Sequence, residues 1–226
     1  NRAKLAGTTT PESDITFTTA HVGCLYKSSD LLQPLDLARI PNAAGIFEEG
    51  KISDSHLGIW SYVYPIVYRT DMLPEGTKFE TWEDLWKPEY RNMIGLQDFD
   101  PSEIITIAAV LGGGSAADWE IAKDKLLALK PNVKAYYSSD AVSDQLIATG
   151  ETPIQVMLSM NAFRQLDIGV PVAIVIPREG AVMGIDTVMI MKGSKNVDLA
   201  YQWINDAPPP TLNNCVQINV VSTCLC

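Results

Sequence analysis

Thr77-Lys-Phe-Glu-Thr-Trp-Glu-Asp-Leu-Trp-Lys-Pro-Glu-Tyr-Arg-Asn-Met-Ile-Gly95 decides the fold, because it joins a short helix to a strand in a way few protein classes use. Thr81 is placed to cap a helix carrying Trp82, Leu85 and Trp86. Pro88, with Glu89 and Arg91, stops that helix before the apolar entry at Met93. Trp82 and Trp86 are four residues apart, so on a helix they share one face, and burying both anchors it against a sheet. At that spacing they predict packing and not ligand contact.

Outward from this segment, helical and strand patterns alternate. Residues 93–97 read as a strand, and Asp98-Phe-Asp-Pro-Ser102 leads into a helix over 102–111 that Gly112-Gly-Gly114 ends. A second helix is expected over 116–129, with Trp119, Ala122, Leu126 and Leu129 on one face. Then come a strand at 133–137, a helix at 140–149 closed by Gly150, a strand at 153–158, a helical stretch at 161–166 and a strand at 172–176. On the N-terminal side, residues 14–19 alternate as a strand and 20–23 read as a loop. A helix-like run ends at Leu32, and Pro34, Pro41 and Gly45 mark irregular chain as far as Gly50. Residues 58–69 carry aromatic and β-branched residues broken at Pro65, which suits two short strands. This alternation predicts an α/β architecture with helices covering sheet.

The 226 residues are 46% hydrophobic and 19% charged, enough apolar material for a sizeable core in one or two domains. With 27 acidic against 17 basic residues the net charge is -10, which argues against nucleic acid as a partner. No apolar run has the ~18 residues of a membrane-spanning helix, and the sequence as given shows no signal-peptide core at its start. Cys24 stands apart from Cys215, Cys224 and Cys226. The spacing Cys224-Leu-Cys226 suits neither a zinc site nor a redox pair, so no metal and no cofactor are expected. One disulfide from Cys215 to Cys224 or Cys226 is compatible with an oxidising compartment.

Three segments in this order, 31–37, 77–95 and 175–205, resemble the extracytoplasmic solute-binding proteins of ABC importers, in the branch that contains spermidine/putrescine- and ferric-ion-binding proteins. The resemblance covers most of residues 14–205. It implies a type II periplasmic-binding fold with two α/β lobes, one from residues 1–65 plus 186–226 and the other from 66–185. It also implies a periplasmic or extracytoplasmic location, a monomer, and transient contact with a membrane permease, with a hinge near 64–68 and 178–186. Such proteins usually have a strand-helix-strand unit before the equivalent of Asp14 and helices after the equivalent of Asn205. Lobe one is therefore expected to be under-built, and a remnant acting as a structural or interaction module is the alternative to transport.

In a two-lobed binding protein the ligand is expected between the lobes, at strand ends and helix N-termini. Thr19, Trp60, Ser61, Tyr62, Ser102 and Ser139 occupy such loops, although Ser102 and Ser139 also suit plain N-caps. From the resemblance come Asp186, which matches an acidic residue that polyamine binders set against a ligand ammonium, and Ser159. A structural ion pair of Asp186 with Arg178 or Arg69 is the competing reading. The polyamine box of tryptophans is replaced by Gly184 and Leu158, and its acidic pair at the helix start is read as Phe99 and Ser102. That leaves a neutral-polar cleft with one acid, suited to a small amine, amino-acid-like or zwitterionic solute. Tyr136 and Tyr137 mimic a ferric site, but strand alternation sends them to opposite faces. No nucleotide, hydrolase or zinc-protease motif is present, and a Cys24 nucleophile with His56 as base lacks an orienting group. The chain is expected not to be an enzyme.

Overall fold

The computed structural model describes residues 11–115, 118–207 and 220–222. The chain divides into two compact units. The first takes the described residues up to Ser61 and those from Gly184 to 207; the second takes Tyr62–Met183 and residues 220–222. The divisions fall after residue 61 rather than 65 and after 183 rather than 185.

The second unit is built on strands β3 (Ile66–Arg69), β4 (Ile94–Gln97), β5 (Val133–Tyr137), β6 (Ile154–Val156) and β7 (Val172–Val175), in the order β5-β4-β6-β3-β7. β4 runs parallel to β5 and β6, while β3 is antiparallel to β6 and β7. Every residue of β4 is buried, as a strand covered on both faces requires. Gly95 is needed there because a Cβ would come within 2.8 Å of the Thr152 hydroxyl. Helices α2 (Ser102–Leu111), α3 (Ala122–Leu129), α4 (Asp140–Thr149) and α5 (Ser159–Asp167) cover the sheet. The main core joins Tyr64, Ile66, Phe79, Trp82, Leu85, Ile94, Ile107 and Ile154.

The segment that opened the sequence reading forms two 3-10 turns, Trp82–Trp86 and Pro88–Tyr90. The Asp84 carboxylate accepts the Thr81 N–H at 3.0 Å, closing the N-terminus. At three residues per turn, positions four apart are rotated by about 120°, so the tryptophans do not share a face. Trp82 is 3% exposed and donates its indole N–H to the Gly180 carbonyl, whereas half-buried Trp86 donates to the Lys125 carbonyl. Buried Asn132 braces the segment by donating to the Leu85 and Lys87 carbonyls.

The first unit centres on β1 (Ile15–Thr19) and the parts of β8 (Ala181–Ile190) from Gly184 and of β2 (His56–Tyr64) up to Ser61, in the order β1-β8-β2. β9 (Val220–Ser222), in the second unit, pairs parallel with Ala181–Met183 of β8. β1 and β8 are antiparallel, with Thr19 opposite Asp186. Helix α6 (Val197–Asp206) sets Ala200, Tyr201 and Ile204 against Ile40, Leu57, Ile59, Val188 and Ile190.

Helix α1 (Ala20–Ser28) begins at once after β1, where the sequence suggests a loop over 20–23, and it ends short of the Leu32 expected. Val22, Gly23 and Cys24 have weak helical propensity, but a side chain at Gly23 would press on His56 and Met189 at 3.1 and 3.2 Å. Close packing thus overrides propensity. Residues 31–36 are not helical, and Leu32 bridges to Met191. Trp119 is 64% exposed, in a 3-10 turn (Trp119–Ile121) ahead of α3, and so leaves the apolar face assigned to it. Residues 116–117 of that predicted helix, and the Cys215, Cys224 and Cys226 pairing, lie outside the described residues.

Candidate functional site

Each unit carries a polar cluster. In the first, alternation on β1 and β8 brings Thr19 and Asp186 to one ladder position. Trp60 on β2 donates its indole N–H to Asp186 Oδ2 at 2.5 Å. Phe17 stacks parallel to Trp60, with centroids 6.3 Å apart. Trp60 is 51% exposed, so this is a carboxylate beside an accessible aromatic face, an arrangement that attracts organic cations. The Thr19 hydroxyl lies 3.3 Å from His21 Nε2, and Ser61 is half-buried next along β2. Of the two arginines weighed as partners for Asp186, Arg69 pairs with Asp71 and Arg178 lies 3.9 Å from Glu179.

The second cluster surrounds the start of α2. Glu103, 5% exposed, faces Gln97 at the end of β4, with Tyr64 of β2 beside it. Gln97 Nε2 donates both to Glu103 Oε2 and to the Asp100 carbonyl. Gln97 Oε1 is buried with no partner among the described residues. Ser102 N–H donates to the Asp100 carboxylate at 3.2 Å, and the Tyr62 ring meets Tyr64 edge-on at 5.6 Å. Burial, reinforced by the Asp100 charge, pushes Glu103 up to about 8. Tyr64 is also raised, by burial first and then by Glu103.

Two acids, Asp100 and Glu103, stand at the α2 start beside Phe99 and Ser102, the residues read from the sequence as standing in for an acidic pair; Phe99 is 49% exposed. The signal available was the D-x-x-E spacing, which reads equally well as ordinary acidic complement to a helix N-terminus. Ser102 is the first residue of α2 and Pro101 holds the cap position. Ser139 is an N-cap, accepting the Val142 N–H. Ser159 accepts the Val63 N–H at 3.4 Å and thereby ties α5 to β2. Tyr137 is buried and Tyr136 is 59% exposed, which separates the adjacent tyrosines.

His56 and Cys24 do approach each other, with 3.7 Å between Nε2 and Sγ. Cys24 is disulfide-bonded, so it offers no thiolate, and burial lowers His56 to about 4, leaving it neutral near pH 7. Its Nδ1 lies 2.8 Å from Ser53 Oγ. The unfolded state takes up the His56 proton from about pH 6.5 and the folded state only near 4. This contribution to stability is therefore present above 6.5 and is lost as pH falls between them. His56→Gln is expected to flatten the fall in urea midpoint between pH 6.5 and 4; an unchanged slope would contradict this.

A profile of the bacterial extracellular solute-binding protein family matches residues 13–206. The chain belongs to that family. Its members bind solutes for ABC transport and are not enzymes, and they act outside the cytoplasm. No helix among the described residues is long and apolar enough to cross a membrane. The chain is 33% identical over 130 residues to the spermidine/putrescine-binding periplasmic protein of Salmonella typhimurium, across 55% of this chain and 36% of that one. A solved ABC transporter structure from Clostridium perfringens is 29% identical with a TM-score of 0.79, covering 92% of this chain and 67% of that one. A spermidine/putrescine ABC transporter substrate-binding protein from Streptococcus pneumoniae is 29% identical with a TM-score of 0.72, covering 90% and 64%. The fold is thus the type II periplasmic-binding fold. The match spans about a third of the Salmonella relative's length and about two thirds of each solved structure.

Proposed function

We propose that this chain binds an aliphatic diamine or polyamine and presents it to an ABC-type membrane permease. The observation that carries the reading is the convergence on one nitrogen, Gln97 Nε2, of two acceptors, Glu103 Oε2 and the Asp100 carbonyl. A ligand ammonium seeks the same arrangement, since it offers three donors and a charge that a buried carboxylate neutralises. The first unit by itself carries another carboxylate of the same kind, Asp186, beside the Trp60 ring, an arrangement that also attracts organic cations. The names of the spermidine/putrescine-binding relatives support the same ligand class.

Scanning fluorimetry and calorimetry with putrescine, spermidine, glutamate and sulfate test this. The amines are expected to raise the melting temperature and the anions to leave it unchanged. Asp186→Asn is expected to weaken putrescine by roughly 10-fold or more, the cost of leaving an ammonium without its charge partner. A shift with anions alone, or amine affinity unchanged in Asp186→Asn, would overturn it.

A further inference from the structure

Buried side chains around the start of α2 say more about how an amine is taken up. Glu103 lies on a small cavity of about 10 Å³ shared with Leu96, Gln97, Ile104 and Val156, room for no more than about one water. Among the described residues, the groups facing it are Asp100 from the loop before α2, Tyr64 and Tyr62 from β2, and Tyr137 from β5, none of which is a cation. A carboxylate in such surroundings is costly without a cation. Gln97, 6% exposed, supplies a neutral amide N–H where an ammonium would donate, and its own Oε1 is left unsatisfied within the cavity wall. The site therefore holds a polar group in want of a donor next to an acid in want of a cation.

We propose that amine binding is coupled to loss of a proton from Glu103: the site waits as a neutral acid, and the arriving ammonium replaces that proton as its partner. This rests on the amine-binding reading above and adds its regulation. The step balances, because the Glu103 O–H bond breaks, the proton passes to solvent, and the carboxylate left behind accepts an N–H from the ligand. Gln97 turns aside in the same step, freeing Glu103 Oε2 and offering Oε1 as a further acceptor. The raised affinity of Glu103 for its proton, held to about pH 8, agrees with this geometry. An alkyl ammonium keeps its charge through that range, as lysine does, so the proton released belongs to the protein.

The test is calorimetry of putrescine binding to this chain at pH 7 in phosphate and in Tris, with a binding series from pH 6 to 8. Close to one proton is expected to be released per amine at pH 7. Affinity is expected to rise about 50-fold from pH 6 to pH 8, close to a factor of ten per unit at first and levelling off as the free site loses its proton near pH 8. In parallel, NMR of ¹³C-glutamate-labelled protein follows Glu103, assigned from Glu103→Gln or, should that variant not fold, Glu103→Asp. A Glu103 that titrates in the ordinary carboxylate range, or amine binding with the same heat in both buffers and no pH dependence, overturns the proton coupling and leaves the amine reading standing. No binding of putrescine or spermidine at any pH overturns the amine reading, and the coupling with it.

Discussion

Glu103→Gln is expected to stabilise the protein at pH 8 and to remove its amine binding. Glutamine keeps the volume of glutamate and a hydrogen-bonding carbonyl, so it remains compatible with Gln97 and Tyr64 while removing a carboxyl that the folded site keeps neutral and the unfolded chain ionises. The folded state retains the Glu103 proton to about pH 8, whereas the unfolded chain releases it near the ordinary value of about 4.5. The unfolded state therefore binds fewer protons between these limits, and stability falls as pH rises through them. The loss is on the order of a few kcal/mol by pH 8. Urea denaturation of wild type and variant at pH 5 and pH 8 checks it: the two are expected to agree closely at pH 5, and the variant to have the higher midpoint at pH 8. A variant gap independent of pH would reject the buried neutral acid. Stabilisation with loss of ligand is the mark of a residue kept for binding at the expense of stability.

Trp82→Ala is expected to cost about 3–5 kcal/mol, and Trp86→Ala clearly less. Trp82 is 3% exposed within the main core, and its loss also leaves the Gly180 carbonyl without its indole donor. Trp86 is only half-buried, against α3 and the small residues Ala108, Ala109 and Ala122, where a truncated side chain lets water in instead of leaving a sealed cavity. If both tryptophans lay on one helical face, the two substitutions would cost about the same. Equal shifts in the urea midpoint would therefore contradict the 3-10 geometry. Neither substitution is expected to alter amine affinity in the folded protein, because both tryptophans serve packing.

The elements that local pattern specifies were legible from residues alone. The strand at Ile94–Gln97, the helix at Ser102–Leu111 and the helix at Asp140–Thr149 with its left-handed Gly150 carry their own caps, breaks and apolar runs. The split of strands at Pro65 and the opposite burial of Tyr136 and Tyr137 follow from a missing donor and from a period of two. The segment around Trp82 identified the fold, yet its helix type was beyond reach, since capping and the four-residue spacing suit α and 3-10 turns alike. The first turn of helix α1 was hidden because Gly23 weakens helical propensity, and only the close approach of His56 and Met189 shows why glycine is there.

The site divides the same way. Asp186 beside Trp60 was visible as two residues but not as a pair, because a ladder register between strands about 126 positions apart is a tertiary fact. Asp100 and Glu103 were present as letters, but acids at a helix start are ordinary in sequence and their spacing says nothing of burial. What the sequence by itself determined is a family, its α/β elements and the loops able to meet a polar solute. Only the tertiary structure decided which acids matter: it folded β2, β4 and β5 around the α2 start and took water away from Glu103, and burial, unlike spacing, is what turns an ordinary carboxyl into a group that waits for a cation.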